Sequence, residues 1–209
     1  MESSEFIYFL SASILLTLAP GPDILYLLAK SLSDGAKSGI ILACGLVSGI
    51  VFHTTLVMLG VATLIKSSAT AMFLLKIFGA TYLLFLAFGA FKSARKKKQL
   101  GIRNDKSGIK KPWALYKRGV LMNVLNPKVL LFFLAFLPQF VNLSSDGASF
   151  TILFLGVVFA AQALIIFSIV SLFAGRVRNL LLRKKNIGQL LNFVEAVVLA
   201  IIAVGLILF

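Results

Sequence analysis

The chain has 209 residues, 59% of them apolar and 13% charged, with a mean hydropathy of +1.00. Soluble domains hold about 45–50% apolar and about 25% charged residues, so an ordinary soluble enzyme or binding domain is excluded and about six spans of about 20 residues fit instead. The net charge of +14 would point to nucleic acid in a soluble chain, but its distribution, described below, marks loops facing the cytoplasm and excludes a nucleic-acid partner.

The N-terminus, Met1-Glu2-Ser3-Ser4-Glu5, is acidic and lacks the basic region of a signal peptide, so the first span is expected in the mature protein. That span, about 6–29, contains Ala19-Pro20-Gly21-Pro22-Asp23. Each proline lacks an N–H and clashes with the carbonyl four residues back, here those of Leu16 and Leu18. The helix is predicted to stop and restart with Gly21 as N-cap and Pro22 at the first helical position. Asp23 follows in apolar sequence. A central Asp or Lys costs about 2.5–3.5 kcal/mol on insertion scales, so it is expected to face a partner or a cavity.

The second span, about 39–64, holds Cys44, the single cysteine. One thiol makes neither a disulfide nor a dithiol relay, and Cys44 is expected as a small buried residue. Gly45, Gly49 and His53 share one helix face, and the glycine pair permits close helix approach. His53, the only histidine, is either a packed, hydrogen-bonded residue or a proton carrier.

The third span covers about 69–91, with Lys76 expected to snorkel to a surface. A basic, glycine-containing linker follows, about 92–112. It acts as a solvated topology signal or touches the anionic headgroups of membrane lipids.

The fourth span, about 118–141, repeats the logic of the first. Asn126 is a favoured N-cap, Pro127 fits the position after it, and Lys128 follows. Asn123 shares a face with Asn126. In the fifth span, about 149–174, Gln162 lies at mid-depth; it and Asn123 line a path or bond another helix. The sixth span covers about 190–209, with Glu195 two turns in, expected near the inner interface and a candidate for coupling.

Eleven Lys/Arg lie between Lys92 and Arg118 and five between Arg176 and Lys185. With Lys30 and Lys37 in the first loop, 18 basic residues fall in loops 1, 3 and 5. Those loops are therefore expected in the cytoplasm and both termini outside.

The halves also resemble each other. Ser33-Asp34-Gly35-Ala36 recurs as Ser145-Asp146-Gly147-Ala148, each before an apolar helix. Pro22 matches Pro127, Gly45 matches Gly156 and Leu74 matches Leu190, all in the same order. Each half has three helices, an odd number, so the second must insert upside down relative to the first. Inverted repeats with broken helices characterise many secondary transporters, with cargo bound at mid-membrane between the repeats. Half-helix N-termini near Pro22 and Pro127 suit a carboxylate. Asp23 would then meet an ammonium or a proton and Lys128 a carboxylate, or the two form a structural ion pair.

The segments Ala19–Asp23, Gly79-Ala80-Thr81-Tyr82-Leu83, and Asn126-Pro127-Lys128 with Phe132-Phe133 and Pro138-Gln139-Phe140 resemble the LysE/RhtB family of amino-acid exporters over nearly the whole chain. The resemblance implies a bacterial inner-membrane exporter of basic, neutral or sulfur-containing amino acids, driven by the proton gradient and assembled as a dimer. Glu195 departs from the family pattern, which leaves its role open.

The expected fold is thus all-α, six transmembrane helices as two inverted three-helix repeats, about 6–91 and 113–209, in one domain spanning 1–209. The expected cargo is a small amino-acid-like solute. Its candidate binding residues are Pro20, Gly21, Pro22, Asp23, Asn123, Asn126, Pro127, Lys128 and Gln162; the candidates for proton coupling are Asp23, His53 and Glu195. No cofactor or metal site is expected, and no cluster has ligand spacing. Export of a metal cation is the weaker alternative. A membrane-embedded enzyme is weaker still, because a single histidine without paired acids offers little catalytic machinery.

Overall fold

A computed structural model describes residues 3–61, 69–95, 111–143, 145–183 and 187–208. Among them the secondary structure is entirely helical. The chain runs through α1 (Ser3–Leu18), α2 (Pro22–Asp34), α3 (Ala36–Leu56) with a π turn at Val57–Val61, and α4 (Ala69–Ala94). It continues through α5 (Pro112–Val124) and α6 (Pro127–Leu131), which passes into a π turn (Phe132–Phe136) and a 3₁₀ turn (Leu137–Phe140). The last helices are α7 (Ala148–Arg183) and α8 (Ile187–Leu208).

Four stretches, in α3, α4, α7 and α8, are long and apolar enough to cross a membrane. Two bent pairs, α1 with α2 and α5 with α6, pass the same test as single spans, making six. This is a multi-pass membrane protein. Its outer surface carries large apolar side chains, including Phe78, Phe88, Phe150 and Leu172, as a hydrocarbon environment requires. Cys44 lies on the exposed side of α3 rather than buried, because the buried face of that helix is taken by Gly45, Gly49 and His53.

Three boundaries differ from expectation. The first span continues to Asp34, the fourth begins at Pro112, and the fifth extends to Arg183. In each case the helix carries basic residues beyond the apolar run, where hydropathy no longer marks it. The basic linker falls largely on 96–110, and the end of the second span on 62–64, outside the described residues.

Counterpart helices of the two halves pack on one another: α4 against α8 and α3 against α7. The tightest seam joins α3 to α5. A Cβ at Gly45 would collide with the Tyr116 carbonyl, and one at Gly119 would lie 2.5 Å from the Leu42 carbonyl. Two glycines facing each other let the backbones touch, which is how membrane helices associate without a hydrophobic drive. Tyr116 donates across the same seam to Ser48 Oγ at 2.9 Å. At the α2–α3 corner Gly35 adopts φ 87°, a left-handed conformation that glycine accepts without strain.

Gly45→Val and Gly119→Val should each lower stability by about 1–3 kcal/mol, the usual cost of overpacking. Gly147→Ala, at a site open to space, should change nothing. Thermal unfolding of the purified protein in detergent separates the two outcomes.

Candidate functional site

The two proline motifs break their spans as their chemistry demands. The α1–α2 pair bends by 56° and the α5–α6 pair by 49°. Gly21, extended at φ −103°, caps α2, and Pro22 is its first residue. Asn126 caps α6, its Oδ1 accepting from the Lys128 backbone N–H at 3.0 Å, with Pro127 next. Pro20 offers no N–H to Leu16, so that carbonyl at the end of α1 has lost its helical donor.

Around the breaks lie buried polar groups. Asp23 and Lys128 are each 8% exposed and Asn126 7%. Asn126 Nδ2 donates to Asp23 Oδ2 at 2.5 Å while its Oδ1 holds the α6 N-terminus, so one amide ties both breaks together. Lys128 Nζ donates to the carbonyls of Leu16 and Ala19, both at 3.1 Å. Asp23 and Lys128 are thus neighbours without direct contact, unlike Lys30 and Asp34, which pair at 2.7 Å. Asn126 has taken the Asp23 carboxylate, and the end of α1 has taken the ammonium.

Glu195, whose role was left open, lies beside the α1–α2 break. A Cβ at Gly21 would lie 3.1 Å from Lys128 Nζ and 3.6 Å from Glu195 Oε1, so both charged groups converge on that glycine. The reason is the packing of α4 against α8, which turns the first turns of α8 toward the α1–α2 break.

A cavity of about 470 Å³ opens beside these groups. Gly21, Pro22, Asn126, Pro127, Lys128, Asn192 and Glu195 form its polar side; Leu25, Phe85, Leu86, Gly89 and Ala90 form an apolar wall. The volume falls in the range of small-molecule sites, about 300–1,000 Å³. A second space of about 20 Å³, room for about one water, lies beyond Lys128 and is lined by Thr17, Asp23, Asn123 and Phe159 among others. Further along, Phe9, Phe132, Phe133, Phe136, Phe140 and Phe159 pack ring against ring, with neighbouring centroids 4.8–6.1 Å apart. These rings belong to the half of the molecule holding the start of α1 and the end of the fourth span. The large cavity lies in the other half, with the end of α4 and the start of α8.

The other candidates are placed apart from the large cavity. His53 is fully buried, with Nε2 3.0 Å from the Asn123 carbonyl and its ring 5.7 Å from that of Phe133, and it lines neither cavity. Gln162 donates to Thr17 Oγ1 at 2.9 Å. The side-chain amide oxygens, Asn123 Oδ1 and Gln162 Oε1, are buried without a partner. Pro20 is buried at the break itself.

Sequence reasoning missed the wall on α4. Phe85, Leu86 and Ala90 sit in an apolar run and carry no signal that separates a cavity-lining face from a lipid-facing one.

A family model described as LysE type translocator matches residues 14–208. The leucine efflux proteins of Salmonella typhimurium (strain LT2) and Salmonella typhi are each 33% identical over 147 residues, covering 69% of this chain and 68% of theirs. An uncharacterized membrane protein of Pseudomonas aeruginosa is 31% identical over 156 residues, covering 72% and 71%. No solved structure matches.

Asn126→Ala removes the donor to Asp23 and the cap of α6 together. Leaving a buried carboxylate without its donor costs about 1–3 kcal/mol or more, and a lost N-cap about 1 kcal/mol. A clear fall in melting temperature of the purified protein is the expected outcome.

Proposed function

This chain is a member of the LysE type translocator family, and on that premise we propose that it exports apolar amino acids of about leucine size across the bacterial inner membrane, coupled to proton entry. The observation that carries the reading is the division of the large cavity into a charged floor and an apolar wall. An amino acid has the same division. Its ammonium suits Glu195, with Asp23 close by, and its carboxylate suits Lys128. Its side chain lies along Phe85, Leu86, Gly89 and Ala90. The relatives named leucine efflux proteins support that cargo.

Coupling follows from charge. Asp23, Glu195 and Lys128 together carry one negative charge in excess, and a buried uncompensated charge is costly. A proton on Asp23 or Glu195, or the ammonium of a cargo molecule, removes that excess. Taking one in exchange for the other makes an antiporter. His53 holds the Asn123 carbonyl at the second break, and its part is to join the halves rather than to carry the proton.

The two halves are read as inverted copies, with loops 1, 3 and 5 in the cytoplasm. In that orientation the large cavity opens inward and the phenylalanine cluster closes the outer side. Export then requires the rings to part after the inner side closes.

Cells preloaded with leucine and expressing the protein should release it faster than controls, and an uncoupler should stop the difference. Asp23→Asn should abolish export at normal membrane abundance; wild-type rates in that variant would remove Asp23 from the mechanism. Gly89→Leu fills the apolar end and should shift preference from leucine toward alanine by at least about tenfold, since pockets discriminate by about 1–3 kcal/mol per methylene. With Cys44 replaced, a cysteine substituted for Asp146 should react with impermeant thiol reagents in intact cells, and one substituted for Lys37 only with permeant ones. The reverse pattern would invert the orientation.

A further inference from the structure

The end of α1 presents carbonyls inside the membrane. A helix C-terminus carries unpaired C=O groups and a partial negative charge. Here Leu16 O has no helical donor because residue 20 is proline, and no hydrocarbon replaces one. Lys128 Nζ supplies the donor to Leu16 O and Ala19 O, using two of its three N–H groups. Glu195 Oε1 converges with this ammonium on Gly21, and Asp23 lines the small space together with Lys128. Gly21 leaves space for it, since a side chain there would press on Nζ at 3.1 Å. Lys128 is also the one residue that lines both the large cavity and the small one. Its ammonium therefore stands at the divide between them.

We infer that the Leu16 and Ala19 carbonyls, with Asp23 and Glu195 beside them, form a seat for a primary ammonium, filled by Lys128 in the state seen here and taken over by the amino group of the cargo during transport. The cargo half of this inference rests on the export reading above; the seat itself does not. A lysine side chain and an amino acid present the same head, a compact –NH₃⁺ with three donors, and the flexible lysine stem lets its own head withdraw. Once displaced, the Lys128 ammonium meets the carboxylate that the same cargo brings. The seat is thereby never left without a cation, and the α1 carbonyls keep a donor in both states.

The test uses purified wild-type protein and Lys128→Ala, with Lys128→Met as the second variant should the first fail to fold. Lys128→Ala should melt below wild type. Millimolar methylammonium should recover most of that loss while leaving wild type unmoved, and tetramethylammonium, which has no N–H, should do nothing. No recovery, or equal recovery with both salts, overturns the seat, whether or not the chain exports amino acids. In the same variant, saturating methylammonium should abolish the further stabilisation given by leucine. Additive stabilisation would mean separate sites and overturn the takeover by cargo. Because these readouts are unfolding curves, a failed export assay leaves the seat standing, and a failed seat leaves export standing.

Discussion

A backbone carbonyl or N–H that has lost its helical partner inside a bilayer must be satisfied by protein, because the hydrocarbon offers nothing. This constraint shapes the centre of the molecule. Pro20, Pro22 and Pro127 interrupt two spans at mid-depth, and the freed groups then recruit what lies opposite. Asn126 holds the start of α6 and the Asp23 carboxylate; Lys128 holds the end of α1. The first break is completed by Lys128 of the second, and Asn126, the second break's own cap, ties it to Asp23 of the first.

The same pattern extends along the interface between the halves. Tyr116 with Ser48, His53 with Asn123 and Gln162 with Thr17 each join one of the first three spans to one of the last three. Around them the packing depends on small residues, with Gly45 against Gly119 and Gly156 close to Thr54. Apolar contact with lipid and with protein is nearly equivalent in energy, so close approach and polar contacts decide which helix faces which. The polar contacts therefore act as registration marks between halves that would otherwise slide.

Such an arrangement suits a protein that alternates between two openings. The charged layer is fixed at mid-depth by backbone geometry. On one side of it lies a roomy cavity with an apolar wall; on the other, past a space for about one water, six phenylalanine rings pack together. Rings packed by dispersion alone, without hydrogen bonds to break, part at modest cost. The hydrogen-bonded floor does not need to come apart for the aromatic side to open, which is the division of labour that the export reading requires.

The six spans, the interrupted first and fourth helices and the caps at Gly21 and Asn126 were legible in the sequence. Each follows from a property local to the chain: apolar runs of bilayer length, the missing N–H of proline, the side-chain oxygen of asparagine. The candidate charges were legible too, because an Asp or Lys amid apolar residues stands out against the cost of burying it. What those charges touch was not. A structural ion pair was one of the two readings of Asp23 and Lys128, whereas an amide and a helix end satisfy them separately. Nor was what Glu195 meets legible: the packing of α8 on α4 turns it toward Gly21. The apolar wall at Phe85, Leu86 and Gly89 left no mark at all, since lipid and cargo side chain ask the same chemistry of a helix face. In a membrane, hydropathy reveals depth and breaks, but it is silent about direction, and only the packing of helix against helix decides which face meets the cavity.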